Sequence, residues 1–370
     1  MLKAEKILVV VFKNIGDVLL ASPVFTALKR AIAGVKVHAL VNGGTEEMLT
    51  FNPDIDKVHV LNRKALKGVV PKLREEFRVL RAVRSERYDA VICLTPGDRG
   101  RMITLLSGAG TRIGPEPRKK GLIPYLTVPV RMAPSGRHYV ERNLDCLRAV
   151  GIFPDKKTSH TAFFVDEGSV ARTRRLLEKA GLGAGTPYMV THPTSRWMFK
   201  CWPHEKAAAL IDRVQEELKL PVVLTSGPDE SERAYIRSLK GCLTTEVVDL
   251  TGILSLKELG AVVRGGRLFF GVDSAPMHIS AAVGTPVVAL FGPSSVTDWA
   301  PWGEGHRVIT SKRYDCLPCG RDGCNGTKVS DCLVEISVET VFKAVKAALG
   351  ENVSVQAHPL GHGNGDAGRP

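Results

Sequence analysis

Residues 267–292, RLFFGVDSAPMHISAAVGTPVVALFG, contain two apolar runs of strand length on either side of a short helical pattern. The runs RLFFGV (267–272) and PVVALFG (286–292) hold almost no polar residues, which is typical of strands that are buried on both faces. Gly284 stands where a helix usually ends. A strand, a helix and a second strand in this order predict neighbouring parallel strands in an α/β protein.

The same alternation extends outward over the rest of the chain. In the second half, strands are also predicted at 188–193, 222–227 and 247–252, with helices near 204–219, 229–240, 255–264 and 275–283. In the first half, strands are predicted at 6–12, 35–41, 57–61 and 88–94, with helices near 18–32, 68–86 and 137–150. Two such units in succession predict two doubly wound, Rossmann-like lobes that face each other across a cleft.

A length of 370 residues suits two domains. The Gly-rich segment AGLGAGTP (180–187) is a natural break between them. We therefore expect a first lobe over residues 1–180 and a second over 181–336. A terminal helix is predicted at 337–350, and the segment 351–370, which has little to bury, is predicted to be disordered.

The chain is basic, with a net charge of +13 from 51 Lys and Arg against 38 Asp and Glu. Six of the cations in the first half are Arg112, Arg118, Lys119, Lys120, Arg131 and Arg137. This excess suits an anionic partner such as nucleic acid, acidic lipid or a phosphorylated or carboxylated glycan, although an ordinary solvated surface explains it equally well. Nucleic acid is disfavoured, because aromatic residues that would stack on bases make up only 6% of the chain.

The apolar runs are too short for export or membrane insertion. The first, from Ile7 to Phe12, is shorter than a signal sequence requires, and no later run reaches the roughly 18 residues of a membrane span. We therefore expect a cytoplasmic protein.

Four of the eight cysteines form a C-x2-C-x4-C-x7-C cluster: Cys316, Cys319, Cys324 and Cys332. A disulfide network is not expected in a reducing compartment. The spacing resembles a zinc or iron–sulfur ligand set, but it lacks the paired C-x2-C motifs of a strong zinc signal. We expect no metal in the chemistry and keep a structural metal site as the weaker alternative.

Asp17, in FKNIGDVLLASP (12–23), comes directly after the first strand and at the start of the next helix. Gly16 permits a tight turn there, and the helix dipole favours an ionised carboxylate. Such a carboxylate could accept a proton from a hydroxyl, but it could equally be an N-cap. The motif lacks G-x-G-x-x-G, so NAD chemistry is disfavoured.

Asp273 and Ser274 occupy the turn after the strand RLFFGV, and a helix begins immediately behind them. The free N–H groups of that helix end would form an anion site suited to a diphosphate. Ser274 and His278 would add a hydroxyl and a ring nitrogen. The alternative is a capped, otherwise ordinary helix with a core histidine.

The loop THPTSRWMFKCWP (191–203) carries Thr194, Ser195 and Lys200. A lysine beside hydroxyl groups can offset the charge that develops on a leaving phosphate, although a solvated lysine is the alternative. In SGPDESE (226–232), Asp229 and Glu230 follow another strand, where carboxylates bind ribose hydroxyls in dinucleotide folds. An ordinary acidic residue at a helix start explains Glu230 as well.

Together these motifs resemble glycosyltransferase family 9, the heptosyltransferases that build the inner core of lipopolysaccharide, up to about residue 345. With the cysteine cluster, the resemblance leans toward the branch that adds the third heptose. It implies a GT-B fold, ADP-heptose as donor, the lipopolysaccharide core as acceptor and inversion at the anomeric carbon. It also implies Asp17 and Lys200 as catalytic residues, and as donor contacts Thr194, Ser195, Glu230, Leu254, Asp273, Ser274, Ala275 and His278.

In the implied mechanism, Asp17 of an acceptor-binding first lobe deprotonates the acceptor hydroxyl. The second lobe binds the nucleotide sugar and stabilises the departing diphosphate, so no cofactor or metal ion is required. Peripheral contact with the inner face of the inner membrane is compatible with the basic first half. The alternatives are a nucleotide-sugar epimerase or another nucleotide-sugar transferase on the same fold, and a non-catalytic protein that binds anionic ligands.

Overall fold

The computed structural model describes residues 2–63, 66–95, 97–116, 125–132 and 136–351. Three cations of the basic first half, Arg118, Lys119 and Lys120, lie outside these ranges, as do residues 352–370 of the predicted tail. The described chain contains two six-stranded sheets, and every neighbouring pair of strands is parallel. The predicted α/β class with two doubly wound lobes is confirmed.

The first sheet contains β1 (Lys6–Val11), β2 (Lys36–Asn42), β3 (Lys57–Leu61), β4 (Ala90–Cys93), β5 (Thr111–Pro115) and β6 (Val128–Val130). Its strand order is β3-β2-β1-β4-β5-β6. The helices over this part of the chain are α1 (Ile15–Leu19), α2 (Ser22–Ala31), α3 (Val69–Ser85), α4 (Asp98–Leu106) and α5 (Tyr139–Arg148), and α6 (Glu167–Lys179) follows. Residues 7–11 of β1 are fully buried, as expected for a central parallel strand covered on both faces.

The second sheet contains β7 (Met189–His192), β8 (Val222–Leu224), β9 (Val248–Asp249), β10 (Leu268–Val272), β11 (Val287–Phe291) and β12 (Arg307–Thr310). Its order is β12-β11-β10-β7-β8-β9, which repeats the order of the first sheet when it is followed from β9. The helices are α7 (His204–Leu218), α8 (Glu230–Cys242), α9 (Leu256–Gly265), α10 (Ala275–Ala282), α11 (Val296–Trp299), α12 (Asp331–Val334) and α13 (Val338–Glu351).

All nine predicted strands are present, but strands β5, β6 and β12 and helices α4, α11 and α12 were not predicted. The segments TRIGP and VPV of β5 and β6 contain glycine and proline, which weaken the strand signal. Pro129 is tolerated because β6 is an edge strand, where one missing N–H donor costs little. β12 is the edge strand at the corresponding end of the second sheet.

Helix α6 packs with the second lobe, although it precedes the Gly-rich break. It contacts α9, and beside it the ring of Phe163 fills the space that a side chain at residue 260 would need. We therefore place the division between the lobes before residue 167, earlier than the expected boundary at 180. The predicted terminal helix is α13, which contacts α7 and strands β10 to β12.

Candidate active site

One cleft of about 1300 Å³ lies where the two sheets reverse their strand order. In each sheet the reversal falls between two adjacent strands, β1 and β4 in the first and β7 and β10 in the second. The loops that follow these four strands all line the cleft. The carboxyl ends of strands at a switch point are the usual ligand site of doubly wound folds, so the cleft is the candidate active site.

The two lobes touch at the floor of this cleft. Helix α1 contacts helix α10, and a Cβ atom on Gly16 would lie 3.9 Å from the Cα of Ala275. The acid that was predicted on the first lobe and the anion site that was predicted on the second therefore border the same space.

Asp17 is the third residue of α1 and is largely buried at the cleft wall. The N-cap of this helix is Asn14, whose backbone N–H donates to Asp17 Oδ2 over 3.3 Å, so Asp17 is not itself the cap. Burial raises the pKa of the Asp17 carboxyl above its ordinary value, and the Lys13 ammonium, 3.5 Å from Oδ1, opposes part of that rise. A raised pKa makes this carboxylate a stronger base than an exposed aspartate.

Lys13 connects Asp17 to an aromatic corner formed by both lobes. Its Nζ donates a hydrogen bond to the Tyr139 hydroxyl and lies 4.2 Å from the centre of the Tyr139 ring. Tyr139 stacks on Trp299 of α11, with ring centres 4.6 Å apart. Sequence reasoning missed this corner, although Lys13 lies inside the motif that drew attention to Asp17.

Helix α10 begins at the cleft with Ser274 as its N-cap. Pro276 has no N–H, so the amides of Ser274 and Ala275 are the free donors at this helix end, fewer than an ordinary helix start would offer. His278 is buried, and its Nδ1 has no hydrogen-bond partner in the described chain. Burial lowers the pKa of His278 to about 4, so its ring is neutral at pH 7 and can donate one N–H.

Lys200 and Asp273 form an ion pair at the cleft wall, with Nζ 2.6 Å from Oδ2. Nζ also lies 4.8 Å from the centre of the exposed Trp197 ring. Asp273 is buried and directly follows β10, so it fixes Lys200 next to the start of α10. Lys200 therefore lies beside the start of α10, where the sequence analysis expects an anion site.

Thr194 and Ser195 both line the cleft, but their hydroxyl groups are already engaged. Thr194 Oγ1 donates to Glu232 Oε2 over 2.6 Å, and Ser195 Oγ accepts the backbone N–H of Trp197 over 3.3 Å. Ser195 Oγ can still donate its own hydrogen. The Thr194 hydroxyl, by contrast, is used to hold a carboxylate.

Glu230 does not line the cleft, which contradicts its predicted place at a ribose. Its side chain is exposed and pairs with Arg237, 2.7 Å away on the same helix. The cleft is lined instead by Asp229, the N-cap of α8, and by the buried Glu232. Positions 229 and 232 are three apart and so share one face of the helix, a signal that sequence reasoning passed over.

Glu232 is held by the loop that it supports. Its Oε2 accepts the backbone N–H of Gly227 over 2.9 Å in addition to the Thr194 hydroxyl. A Cβ atom on residue 227 would lie 2.4 Å from Glu232 Oε1, so a larger residue there would displace this carboxylate. Leu254 lines the same end of the cleft, just before the Ser255–Glu258 capping box of α9.

The basic residues that line the cleft are not those that the charge pattern singled out. Arg112, Arg131 and Arg137 lie elsewhere; Arg137, for example, pairs with Asp145 over 2.8 Å. The cations at the cleft are Lys13, Arg99, Arg196 and Lys200.

The cysteine cluster lies away from the cleft. In the described part of the chain, no three of its sulfur atoms approach within 4.8 Å of one another. Burial and the neighbouring Cys324 and Cys319 raise the pKa of Cys332 to about 11, so this thiol is protonated at neutral pH.

Similarity to known proteins identifies the family. Residues 76–330 match the model of glycosyltransferase family 9 (heptosyltransferase), which covers more than half of the chain. The chain belongs to glycosyltransferase family 9. It is therefore an enzyme of the glycosyltransferase class, and the resemblance noted from its motifs is confirmed.

This family 9 glycosyltransferase is 34% identical to lipopolysaccharide heptosyltransferase 3 of Escherichia coli over 305 residues, which cover 82% of this chain and 88% of that protein. The solved structure of a family 9 glycosyltransferase from Veillonella parvula DSM 2008 matches it with a TM-score of 0.82 at 23% identity, over 94% of this chain and 97% of that one. The ADP-heptose LPS heptosyltransferase II of E. coli matches with a TM-score of 0.75 at 20% identity, over 94% and 99%. The predicted GT-B fold is confirmed.

In the part of this glycosyltransferase that the structure describes, no helix is both long enough and apolar enough to cross a bilayer.

Proposed function

We propose that this enzyme transfers a heptose from ADP-heptose to the core of lipopolysaccharide, with inversion at the anomeric carbon. The observation that carries the proposal is that Asp17 of one lobe and the start of α10 in the other border one cleft. The sugar and the acceptor are inferred from the names of the relatives, which are lipopolysaccharide heptosyltransferases.

The donor diphosphate would bind at the start of α10. The amides of Ser274 and Ala275 point out of this helix end, and Lys200 lies beside it on Asp273. His278 would donate its free N–H to a phosphate oxygen. The phosphate would then supply the hydrogen-bond partner that the buried Nδ1 lacks within the described chain. These groups supply the positive charge that a departing diphosphate needs, so the proposed reaction requires no metal ion or other cofactor.

The nucleoside would lie toward Leu254 and the loop before α8. Leu254 would offer backbone groups to the adenine, and Asp229, which lines the cleft, would bind the ribose in place of Glu230. Ser195 would contact the diphosphate through its remaining donor. Thr194 would act indirectly, because its hydroxyl holds Glu232.

Asp17 would remove the proton from the attacking hydroxyl of the acceptor. Its burial favours proton uptake, and the Lys13 ammonium keeps enough negative charge on it to act as a base. Attack from the side of the first lobe, opposite the diphosphate, inverts the anomeric centre. The acceptor would enter past Gly97 to Gly100, where Arg99 offers a charge to core phosphates. We infer a cytoplasmic location, where the nucleotide sugar and a membrane-borne acceptor meet.

The proposal is tested by incubating the full chain with ADP-heptose and a heptose-deficient core acceptor, and by measuring ADP release and the mass of the glycan. Acceptor-dependent ADP release with addition of one heptose is expected. Asp17→Asn should lack it, while Glu230→Gln, which changes an exposed residue outside the cleft, should retain it. A sugar product that forms equally well without acceptor would instead indicate an epimerase, and donor binding without turnover a binding protein.

A further inference from the structure

Helix α3 carries an apolar face that no part of the described chain covers. Val69, Val70, Leu73 and Phe77 are between 58% and 72% exposed, and only Val79 and Val83 of this 17-residue helix are buried. Positions 69, 73 and 77 are four residues apart and therefore lie along one side of the helix. Side chains this exposed project from the body of the protein and do not line a groove.

Helix α4 continues this surface. It packs beside α3, and near the carboxyl ends of the two helices Arg84 Nη1 donates to the Leu106 carbonyl over 3.5 Å. Met102 and Leu106 of α4 are also exposed. We call the six side chains the α3–α4 patch: Val69, Val70, Leu73, Phe77, Met102 and Leu106.

Unpaired arginines accompany the patch. Arg74 and Arg81 follow Val70 and Phe77 by four residues each, and Arg99 precedes Met102 by three. All three are exposed, and none has an acidic partner within the residues that the structure describes. Arg78, on the same helix, is neutralised by Glu75 at 2.6 Å. The patch therefore combines apolar side chains with uncompensated positive charge.

The patch lies at the rim of the cleft on the acceptor side. The first residues of α4, Asp98 to Gly100, line the cleft. The first turns of α3 lie at the same edge of the sheet, because Glu75 accepts the N–H of Asn62, which directly follows β3, over 2.9 Å. A flat partner that covered the patch would therefore stand beside the acceptor entrance.

We propose that the α3–α4 patch docks on the anionic surface of a lipid bilayer and thereby presents the cleft to an acceptor anchored in that bilayer. Apolar side chains that enter the interface, flanked by arginines that attract anionic headgroups, are the combination that binds a peripheral protein to such a surface. An anionic bilayer already carries the negative charge that the three arginines attract, on the phosphates of its headgroups. A protein partner would have to supply that charge with acidic side chains. The inference rests on the proposed function for the identity of the anchored acceptor.

The test is co-sedimentation of the full chain with vesicles of phosphatidylethanolamine and phosphatidylglycerol, with phosphatidylcholine vesicles for comparison. Binding to the anionic vesicles that weakens with added salt is expected for the unmodified protein. Leu73→Asp/Phe77→Asp and Arg74→Glu/Arg81→Glu should each lower the partition coefficient by about ten-fold or more. Phe153→Asp, at a phenylalanine that is 76% exposed in the loop after α5, is the matched control and should bind normally.

Three results would overturn the proposal. The unmodified protein could ignore anionic vesicles, or the Leu73/Phe77 variant could bind them as well as the control. Alternatively, analytical ultracentrifugation could show a dimer that only the Leu73/Phe77 variant dissociates, in which case the patch binds a second copy. Circular dichroism would confirm that each variant is folded.

Activity measurements distinguish a failure of the docking proposal from a failure of the proposed heptose transfer. All variants should turn over a delipidated, water-soluble core acceptor at the unmodified rate, and the patch variants should be slow only on acceptor embedded in vesicles. If the unmodified enzyme binds vesicles but transfers no heptose to either acceptor, the proposed function fails and the docking surface stands.

Discussion

Gly16 of the first lobe lies against His278 of the second, so closely that a Cβ atom on residue 16 would stand 3.2 Å from His278 Cδ2. The backbone at Gly16 is helical and would accept any residue. The space at residue 16 is therefore limited by His278, and not by a tight turn as the motif had indicated. The contact sets the distance between the helix that carries Asp17 and the proposed diphosphate site.

Gly16→Ala should lower transfer by about ten-fold, because His278 must move by a few tenths of an ångström and small displacements at a reacting centre are costly. Stability should not fall, since alanine is favoured over glycine within a helix by about 1 kcal/mol. Steady-state kinetics and thermal unfolding measure the two effects. Gly241→Ala, where a Cβ meets no atom within 4 Å, is the control; equal activity in both variants would show that the contact is unimportant.

Asp17→Asn should reduce transfer by about 10²–10⁴-fold while ADP still binds, because only the base is lost. Its stability at pH 7 should equal or exceed that of the unmodified enzyme, since an ionised carboxylate is disfavoured in this buried position. Calorimetric titration with ADP and thermal unfolding test these points. Near-normal turnover would reject Asp17 as the base.

Lys13→Met should move the acidic limb of the pH–rate profile to higher pH. The Lys13 ammonium lowers the pKa of Asp17, so its removal lets burial raise that pKa further, and the carboxylate is then protonated at a higher pH. The measurement is kcat between about pH 4 and pH 8. Lys29→Met, which removes a lysine paired with Asp56, should leave the limb in place; a limb that shifts in neither variant would argue against Asp17 as the titrating group.

Lys200→Gln should lower kcat by about 10²–10³-fold, because the positive charge that would stabilise the leaving diphosphate is lost. It also leaves the buried Asp273 without its partner, at a cost in unfolding free energy of about 1–3 kcal/mol. Adding Asp273→Asn should recover stability but not transfer. Recovery of both in the double variant would mean that Lys200 has only a structural role.

Lys257 should make stability depend on pH above neutrality. Its buried Nζ donates to the carbonyls of Thr50 and Phe164, over 2.9 Å and 2.6 Å, and burial lowers its pKa from 10.5 to about 8. Between these two values the unfolded chain binds more protons than the folded one, so the free energy of unfolding rises with pH, by up to about 3 kcal/mol. Urea unfolding from about pH 7 to pH 10.5 should show this rise, and Lys257→Met should lack it.

Much of the fold could be predicted because its signals are local. Strands β1 and β10 are runs of buried, mostly apolar residues, and the turn after β10 places Asp273 and Ser274 at the carboxyl edge of the sheet whatever the rest of the chain does. The edge strand β6 escaped prediction since Pro129 weakens its pattern, and only its position at the end of the sheet makes that proline acceptable.

The choice among the acids of SGPDESE could not be made from their order alone. Glu230 and Glu232 differ by two positions on one helix, which turns them by about 200° relative to each other. One faces Arg237 and solvent, and the other lies under the cleft loop. That outcome depends on which face of α8 packs inward.

By itself, then, the sequence determined two parallel α/β lobes, the strand ends that carry polar residues, and the family to which the chain belongs. Only the tertiary structure decided that Gly16 meets His278, that Lys13 pairs with Asp17 beside Tyr139, and that one face of α3 lacks a neighbour. The reason is physical: periodicity specifies which residues form an element. Contacts between elements that are distant in the chain depend on how the completed lobes fit together.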